Sequence, residues 1–231
     1  MKHLPLEIYS AIIEQLGKES APLCSCALVC SSFRKFSQRQ LFRVIRLNLL
    51  GRCSPAKKKI LALHTSLVLS PQLASFVRKM HIELANEDMD DATAHSASAI
   101  LYAVTSVERV TIFSCSMPQN GWYHLSKPAT TALLHVLRLP SCRKLVLDNV
   151  EFPCAHLRSL THLRHLEVAS HLAISQDPAP NNVALALPTQ LQFLETLTIE
   201  YGDEAQIAHI LDVFEDASSS LSIRRLHGVE E

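Results

Sequence analysis

The chain has 231 residues, of which 48% are hydrophobic and 19% charged, with 22 basic side chains balancing 22 acidic ones. This composition is enough to bury the core of one or two domains, and it excludes the polar, low-hydrophobicity signature of disorder. Zero formal net charge leaves no overall field to draw the protein to nucleic acid or to an anionic membrane, so partners have to be sought in local features.

The opening Met1-Lys2-His3-Leu4-Pro5 runs directly into a Glu-containing segment, without the apolar stretch of a signal peptide. The most apolar later stretch, Ile60 to Leu69, is broken by His64, Thr65 and Ser66 and falls short of the roughly 20 residues a membrane span needs. No Asn is followed by Ser or Thr at the second position, so there is no N-glycosylation acceptor. Seven Cys is an odd number, and their spacing suggests no disulfide framework. We expect reduced thiols and a cytoplasmic or nuclear protein, away from membranes.

Leu4-Pro5-Leu6-Glu7-Ile8 reads as a helix start, with Pro in the first turn and Glu7 facing the positive end of the dipole. Ile8, Ile12 and Leu16 fall on one face with Ile13 beside them, and Gly17 stops the helix. Ser20 is read as the N-cap of a second helix, in which Leu23, Cys26, Ala27 and Cys30 recur at helical spacing and Leu28 and Val29 widen the apolar surface. A third helix after Ser31-Ser32 directs Phe33, Phe36 and Leu41 towards a core and keeps Arg34, Lys35, Gln38 and Arg39 polar. Three short helices cannot shield this much apolar surface, so a partner is expected to cover part of it.

Taken in order, Leu4-Pro5-x-Glu7-Ile8, Ile12-Ile13-x-x-Leu16, Leu23-x-x-Cys26-Ala27-Leu28-Val29-Cys30-x-x-Phe33 and Leu41-Phe42-Arg43-x-Ile45 resemble the F-box of fungal F-box-like proteins. Phe33 stands where that family often has Trp, and Ser31 where a basic residue is common. The resemblance covers about a fifth of the chain. It implies that Leu4, Pro5, Ile8, Ile12, Ile13, Leu16, Leu23, Cys26, Val29, Cys30 and Phe33 dock on a Skp-family adaptor, which in turn binds a cullin. The alternative is that these helices merely cap the domain that follows, because stacked repeats need covered ends.

From Phe42 onwards the pattern apolar-x-x-apolar-x-apolar recurs at Phe42/Ile45/Leu47, Val77/Met80/Ile82, Val107/Val110/Ile112, Cys142/Leu145/Leu147, Leu163/Leu166/Val168 and Leu194/Leu197/Ile199. A partial copy follows at Ile223 and Leu226. The steps, between 21 and 35 residues, suit an irregular leucine-rich-repeat-like array. Helical spacing fills the intervals Lys57 to Leu69, Asp91 to Val104, Thr130 to Leu139 and Glu204 to Phe214, whereas Ser116 to Lys127 and Ser175 to Asn182 read as loops. The expected fold is therefore mixed α and β: a three-helix F-box over 1–46, then over 47–231 an irregular leucine-rich-repeat-like α/β solenoid with a parallel sheet. Ile223 to Glu231 starts a repeat with no capping element, which fits either a truncated chain or an unusual cap.

Stacked in register, the strands would line up Lys79, Arg109, Lys144, His165 and Thr196 in one column and Glu83, Phe113, Asp148, Ala169 and Glu200 in another. His81, Thr111, Val146, Glu167 and Thr198 would lie between them. This face, basic along one rim and partly acidic along the other, is the candidate target-binding surface; the alternative is an ordinary solvated strand face. Trp122 beside Tyr123 is read either as an exposed anchor or as packing against the repeat flank.

Other chemistry is set aside. Cys24, Cys26 and Cys30 lack a second ligand pair at zinc-finger spacing, and His156, His162, His165 and His171 fall on different elements, so no metal is expected. Asn86-x-Asp88-x-Asp90 lacks the Gly and Glu of a calcium loop and reads as an acidic start to the helix from Asp91. A phosphate loop, a nucleophile elbow and a His-Glu-x-x-His motif are all missing, so neither catalytic residues nor a cofactor are expected. What the F-box resemblance implies is a non-catalytic substrate-recognition subunit in an SCF-type ubiquitin ligase. A repeat-based interaction module without ligase engagement is the alternative. A helix-turn-helix-like nucleic-acid binder using Arg34, Lys35, Arg39 and Arg43 comes third, disfavoured by neutral charge and by the apolar second helix.

Overall fold

A computed structural model describes residues 5–17, 19–49, 54–84, 90–114, 122, 125–150, 152–153, 156–157, 159–169, 194–200 and 222–226. The expected helix over Glu204 to Phe214 and the loop over Ser175 to Asn182 lie outside these residues, as does most of Ser116 to Lys127.

Three helices open the fold: α1 (Leu6–Gln15), α2 (Ser20–Val29) and α3 (Ser31–Leu41). Pro5 is the N-cap of α1 rather than a residue of its first turn, and Gly17 takes the left-handed backbone (φ +67°) that ends the helix without a Cβ penalty. Two sequence expectations are corrected here. Ser20 is the first residue of α2, and Glu19 holds the cap position with no side-chain bond to the helix. Cys30 is extended (φ −159°) and separates α2 from α3, so it shares no helical face with Cys26. Its break is supported by Arg34, whose Nε donates to the carbonyl of Ala27 at 3.3 Å and so satisfies one of the unpaired carbonyls at the end of α2.

From α3 the chain passes within three residues into β1 (Val44–Leu49), so the boundary read at residue 46 falls inside a strand. The remaining strands are β2 (Lys79–Leu84), β3 (Arg109–Ser114), β4 (Lys144–Asp148), β5 (His165–Ala169), β6 (Thr196–Glu200) and β7 (Ser222–Leu226). They form one seven-stranded sheet in sequence order, with every neighbouring pair parallel. Between them run α4 (Ser54–Leu69), a short 3-10 helix (Pro71–Phe76), α5 (Asp91–Ala103) and α6 (Lys127–Leu137).

The register follows the recurring apolar motif. Ile45, Met80, Val110, Leu145, Leu166 and Leu197 align across the sheet, and so do Leu47, Ile82, Ile112, Leu147, Val168 and Ile199. All of these are buried, together with Ala97, Ile100 and Leu101 of α5 and Ala132, Leu133 and Val136 of α6. Alternation puts one side of each strand from β1 to β6 into this core, with α5 presenting small residues such as Ala97 to it. A second device repeats at the strand starts: the carbonyls of Arg43, Arg78, Glu108, Arg143 and Arg164 each accept two amide N–H bonds from the next strand. At β7 Ile223 pairs with Leu197, so it takes the second position of the motif, and Arg225 stands opposite Ile199.

Local capping also works through side chains. Asp90 is the N-cap of α5, accepting from the Thr93 backbone at 3.2 Å and from its hydroxyl at 2.7 Å, with Lys57 Nζ 3.2 Å away. Those bonds, the Thr93 hydroxyl first, hold the Asp90 carboxyl below its ordinary range. Asn149, just past β4, takes φ +53°, which Asn tolerates better than most residues, and its side chain donates to the Ser114 carbonyl at 3.0 Å.

Ile112 sits at the centre of this core with no exposed surface. Ile112→Ala should destabilise the fold by about 2–5 kcal/mol in urea unfolding; a loss under about 1 kcal/mol would contradict the described core.

Candidate functional site

Two surfaces carry the residues singled out by sequence. The first lies on α1 and α2, where Leu6 (59% exposed), Ile8, Ile12, Leu28 (82%) and Val29 (69%) are large apolar side chains left in solvent. Pro5 and Cys30 are exposed, and Leu16, Cys26 and Phe33 are half-buried. Ile13 and Leu23, both 1% exposed, are interior side chains of this chain, which takes them out of any outward docking surface. Helical geometry explains the split: Ile12 and Ile13 stand about 100° apart around the axis, so α1 turns Ile13 inward and leaves Ile8 and Ile12 outward. Phe33 meets Tyr9 edge to face at 4.8 Å and is partly used up in holding α1 to α3. Leu6 and Leu28 are as exposed as the residues the sequence reading chose, yet a local pattern alone does not separate them from core positions. Leu4 lies outside the described residues.

The second surface is the face of the sheet turned away from the helices. Its first column runs Val44, Lys79, Arg109, Lys144, His165, Thr196. The middle column runs Arg46, His81, Thr111, Val146, Glu167, Thr198, and the third runs Asn48, Glu83, Phe113, Asp148, Ala169. These are the columns expected from sequence, extended by β1. Most members are half-buried and Val146 is fully buried. Glu200 ends β6, and its side chain is outside the described residues.

Side-chain pairing changes the expected charge pattern. Lys144 Nζ lies 2.6 Å from Glu167 Oε2, because the register sets Glu167 diagonally across on β5. A half-exposed pair of this kind contributes less than about 1 kcal/mol, but it removes Lys144 as a free cation. Asn48 Nδ2 donates to Glu83. Along the strand starts, Arg78 pairs with Glu108 and Arg164 with Glu195. On this face, among the described residues, the cations without an ion pair are Arg46, Lys79 and Arg109, over β1 to β3 around His81. Burial first, then the nearby Arg46, Arg109 and Lys79, lower the His81 pKa below its ordinary 6.5.

Other sequence candidates resolve as packing. Trp122 is 3% exposed and packs on Phe152 and His156 at 4.5 and 5.6 Å, so it is a core side chain and not an exposed anchor. Tyr123 and His171 are outside the described residues. Cys142 is buried, and desolvation pushes its thiol up to about 12, which makes it inert at neutral pH. Among the described residues, no cluster of His, Cys, Asp and Glu is placed to hold a metal ion, and no helix is long and apolar enough to cross a membrane.

With this geometry in place, comparison with known families finds the F-box domain over residues 1–45. That segment covers α1 to α3 and the first two residues of β1. No curated protein matches the chain. F-box domains typically bind Skp-type adaptors, and proteins that carry them are typically non-catalytic, with a general adaptor role in ubiquitin ligation.

The lowered His81 pKa has a definite sign. The folded protein resists protonating His81, so stability present above the unfolded value near 6.5 is lost as pH falls from there through the folded pKa. Titration by NMR should place His81 below 6.5, and Arg46→Gln should raise it. A value at or above 6.5 would contradict the described cluster.

Proposed function

We propose that this chain is a substrate-recognition subunit of an SCF-type ubiquitin ligase. Residues 1–46 engage a Skp-family adaptor and, through it, a cullin; residues 47–231 form an irregular leucine-rich-repeat-like array that holds a protein target. The observation that carries the first half is the set of solvent-exposed apolar side chains on α1 and α2, within the segment matched by the F-box domain. Leaving five such residues in water is unfavourable for a free domain and is relieved when an apolar partner covers them. The short apolar motif, its repeated strand-start bonds and the parallel sheet support the second half. The subunit performs no chemistry in this reading: it raises the effective concentration of target lysines near a ubiquitin-charged enzyme. Its place is the cytoplasm or nucleus, and the likeness to fungal F-box-like proteins fits the same role.

The adaptor contact is tested by co-purification with a Skp-family protein. Ile8→Asp and Val29→Asp alter exposed side chains, so each should shift stability by no more than about 0.5 kcal/mol while weakening adaptor binding at least tenfold. Undiminished binding by both variants would refute the docking surface. Failure of the native chain to bind would favour an interaction module that acts without the ligase.

A further inference from the structure

We propose that this chain pairs with a second copy of itself through the outward face of α4, in a two-fold, antiparallel helix contact. The contact goes beyond the adaptor and target surfaces and uses residues of neither. Ala56, Ile60 and Leu67 are the buried side of α4. Helical spacing gathers Lys58, Leu61, Ala62, Thr65, Val68 and Leu69 on the other side, and all six are exposed. Val68 is 63% and Leu69 77% in solvent. The hydroxyl protons on and beside this stripe are already used inside the helix: Thr65 Oγ1 donates to the Leu61 carbonyl at 2.9 Å and Ser66 Oγ to the Ala62 carbonyl at 2.8 Å. Between Leu61 and Leu69 the helix therefore offers an apolar surface whose donors make no demand on a partner, as a dry helix contact requires.

Charge and symmetry single out a second copy as the occupant. The first turn of α4 holds no acidic residue and the last turn no basic one, while Lys57, Lys58 and Lys59 stand near its start. Cations at the start of a helix and none at its end are the reverse of what the macrodipole favours. Lys57 lies 3.2 Å from Asp90, but Lys58 and Lys59 have no ion pair among the described residues. An antiparallel copy corrects both ends together, because it lays the Lys-bearing start of one α4 over the C-terminal carbonyls of the other. The stripe is also self-complementary about Thr65, with Leu61 and Leu69 four residues to either side and Ala62 and Val68 three. Around a two-fold axis at Thr65, Leu61 meets Leu69 of the second copy, Ala62 meets Val68, and Lys58 meets the exposed Gln72 of the short 3-10 helix. One pair of helices buries less than the ~1,200–2,000 Å² of stable complexes, so the dimer is weak, with a dissociation constant on the order of 10 µM.

The test is sedimentation velocity of the full chain over a concentration series that brackets the expected constant. A reversible monomer–dimer equilibrium is expected, weakened at least tenfold in Val68→Asp and in Leu69→Asp and tightened at least twofold in Gln72→Glu, which sets a carboxylate opposite Lys58. Val29→Asp, on α2, should dimerise as the native chain does. Val68 and Leu69 are exposed, so their variants keep the fold, which circular dichroism checks; Gln72→Glu reads as a gain and is informative even where a loss is ambiguous. Thr65→Cys, at the two-fold axis, should cross-link to itself under mild oxidation, with the peptide carrying position 65 joined to its own copy in the mass spectrum. A chain that stays monomeric throughout the series, a dimer that Val68→Asp leaves intact, or a dimer abolished by Val29→Asp, which would place the contact on the F-box helices, would each overturn the proposal. Weakening by Gln72→Glu, or failure of Thr65→Cys to cross-link in a dimeric sample, would overturn the antiparallel geometry.

Discussion

Parallel pairing in a single register is the constraint on which the rest of this structure depends. A strand side chain changes face when register slips by one residue, so the apolar positions of six strands can share one core only if each strand meets its neighbour at the same point. Here the doubly accepting carbonyls at the strand starts fix that point, and the rows from Ile45 to Leu197 and from Leu47 to Ile199 are buried against α5 and α6. The opposite face follows with no further choice. Once Met80 and Val110 face inward, Lys79, His81, Arg109 and Thr111 must face outward together.

That coupling explains why much of the sheet was legible in the sequence. The motif Val77/Met80/Ile82 and its copies state which residues face the core, and equal spacing within the motif aligns the outward columns when the strands stack in register. The helices between strands were legible for a similar reason, since Ala97, Ile100 and Leu101 recur at helical spacing. What stayed hidden depends on three-dimensional neighbours. The Lys144–Glu167 pair, the Asn48–Glu83 bond and the interior position of Trp122 join residues far apart in sequence. Likewise Ile12 and Ile13 are equally apolar, and only the packing of α1 on α3 shows which one points out. The partial copy at Ile223 and Leu226 has the spacing of the first two motif positions, whereas pairing with β6 sets Ile223 at the second.

The molecule thus presents two chemically different surfaces without a linker between them. The F-box segment ends inside β1, so the strand that closes the helical part also begins the sheet. Among the described residues, apolar side chains stand in solvent at the helical end, and Arg46, Lys79 and Arg109, none with an ion pair, stand over the first three strands. Under the proposed function the first surface meets the adaptor and the second meets the target.

The most direct test of this account is hydrogen–deuterium exchange of the full chain with and without a Skp-family adaptor. We expect added protection in α1 and α2, with exchange in β2 to β4 unchanged. Protection confined to the strands, or none in the presence of saturating adaptor, would contradict the assignment of the N-terminal helices as the ligase-binding surface.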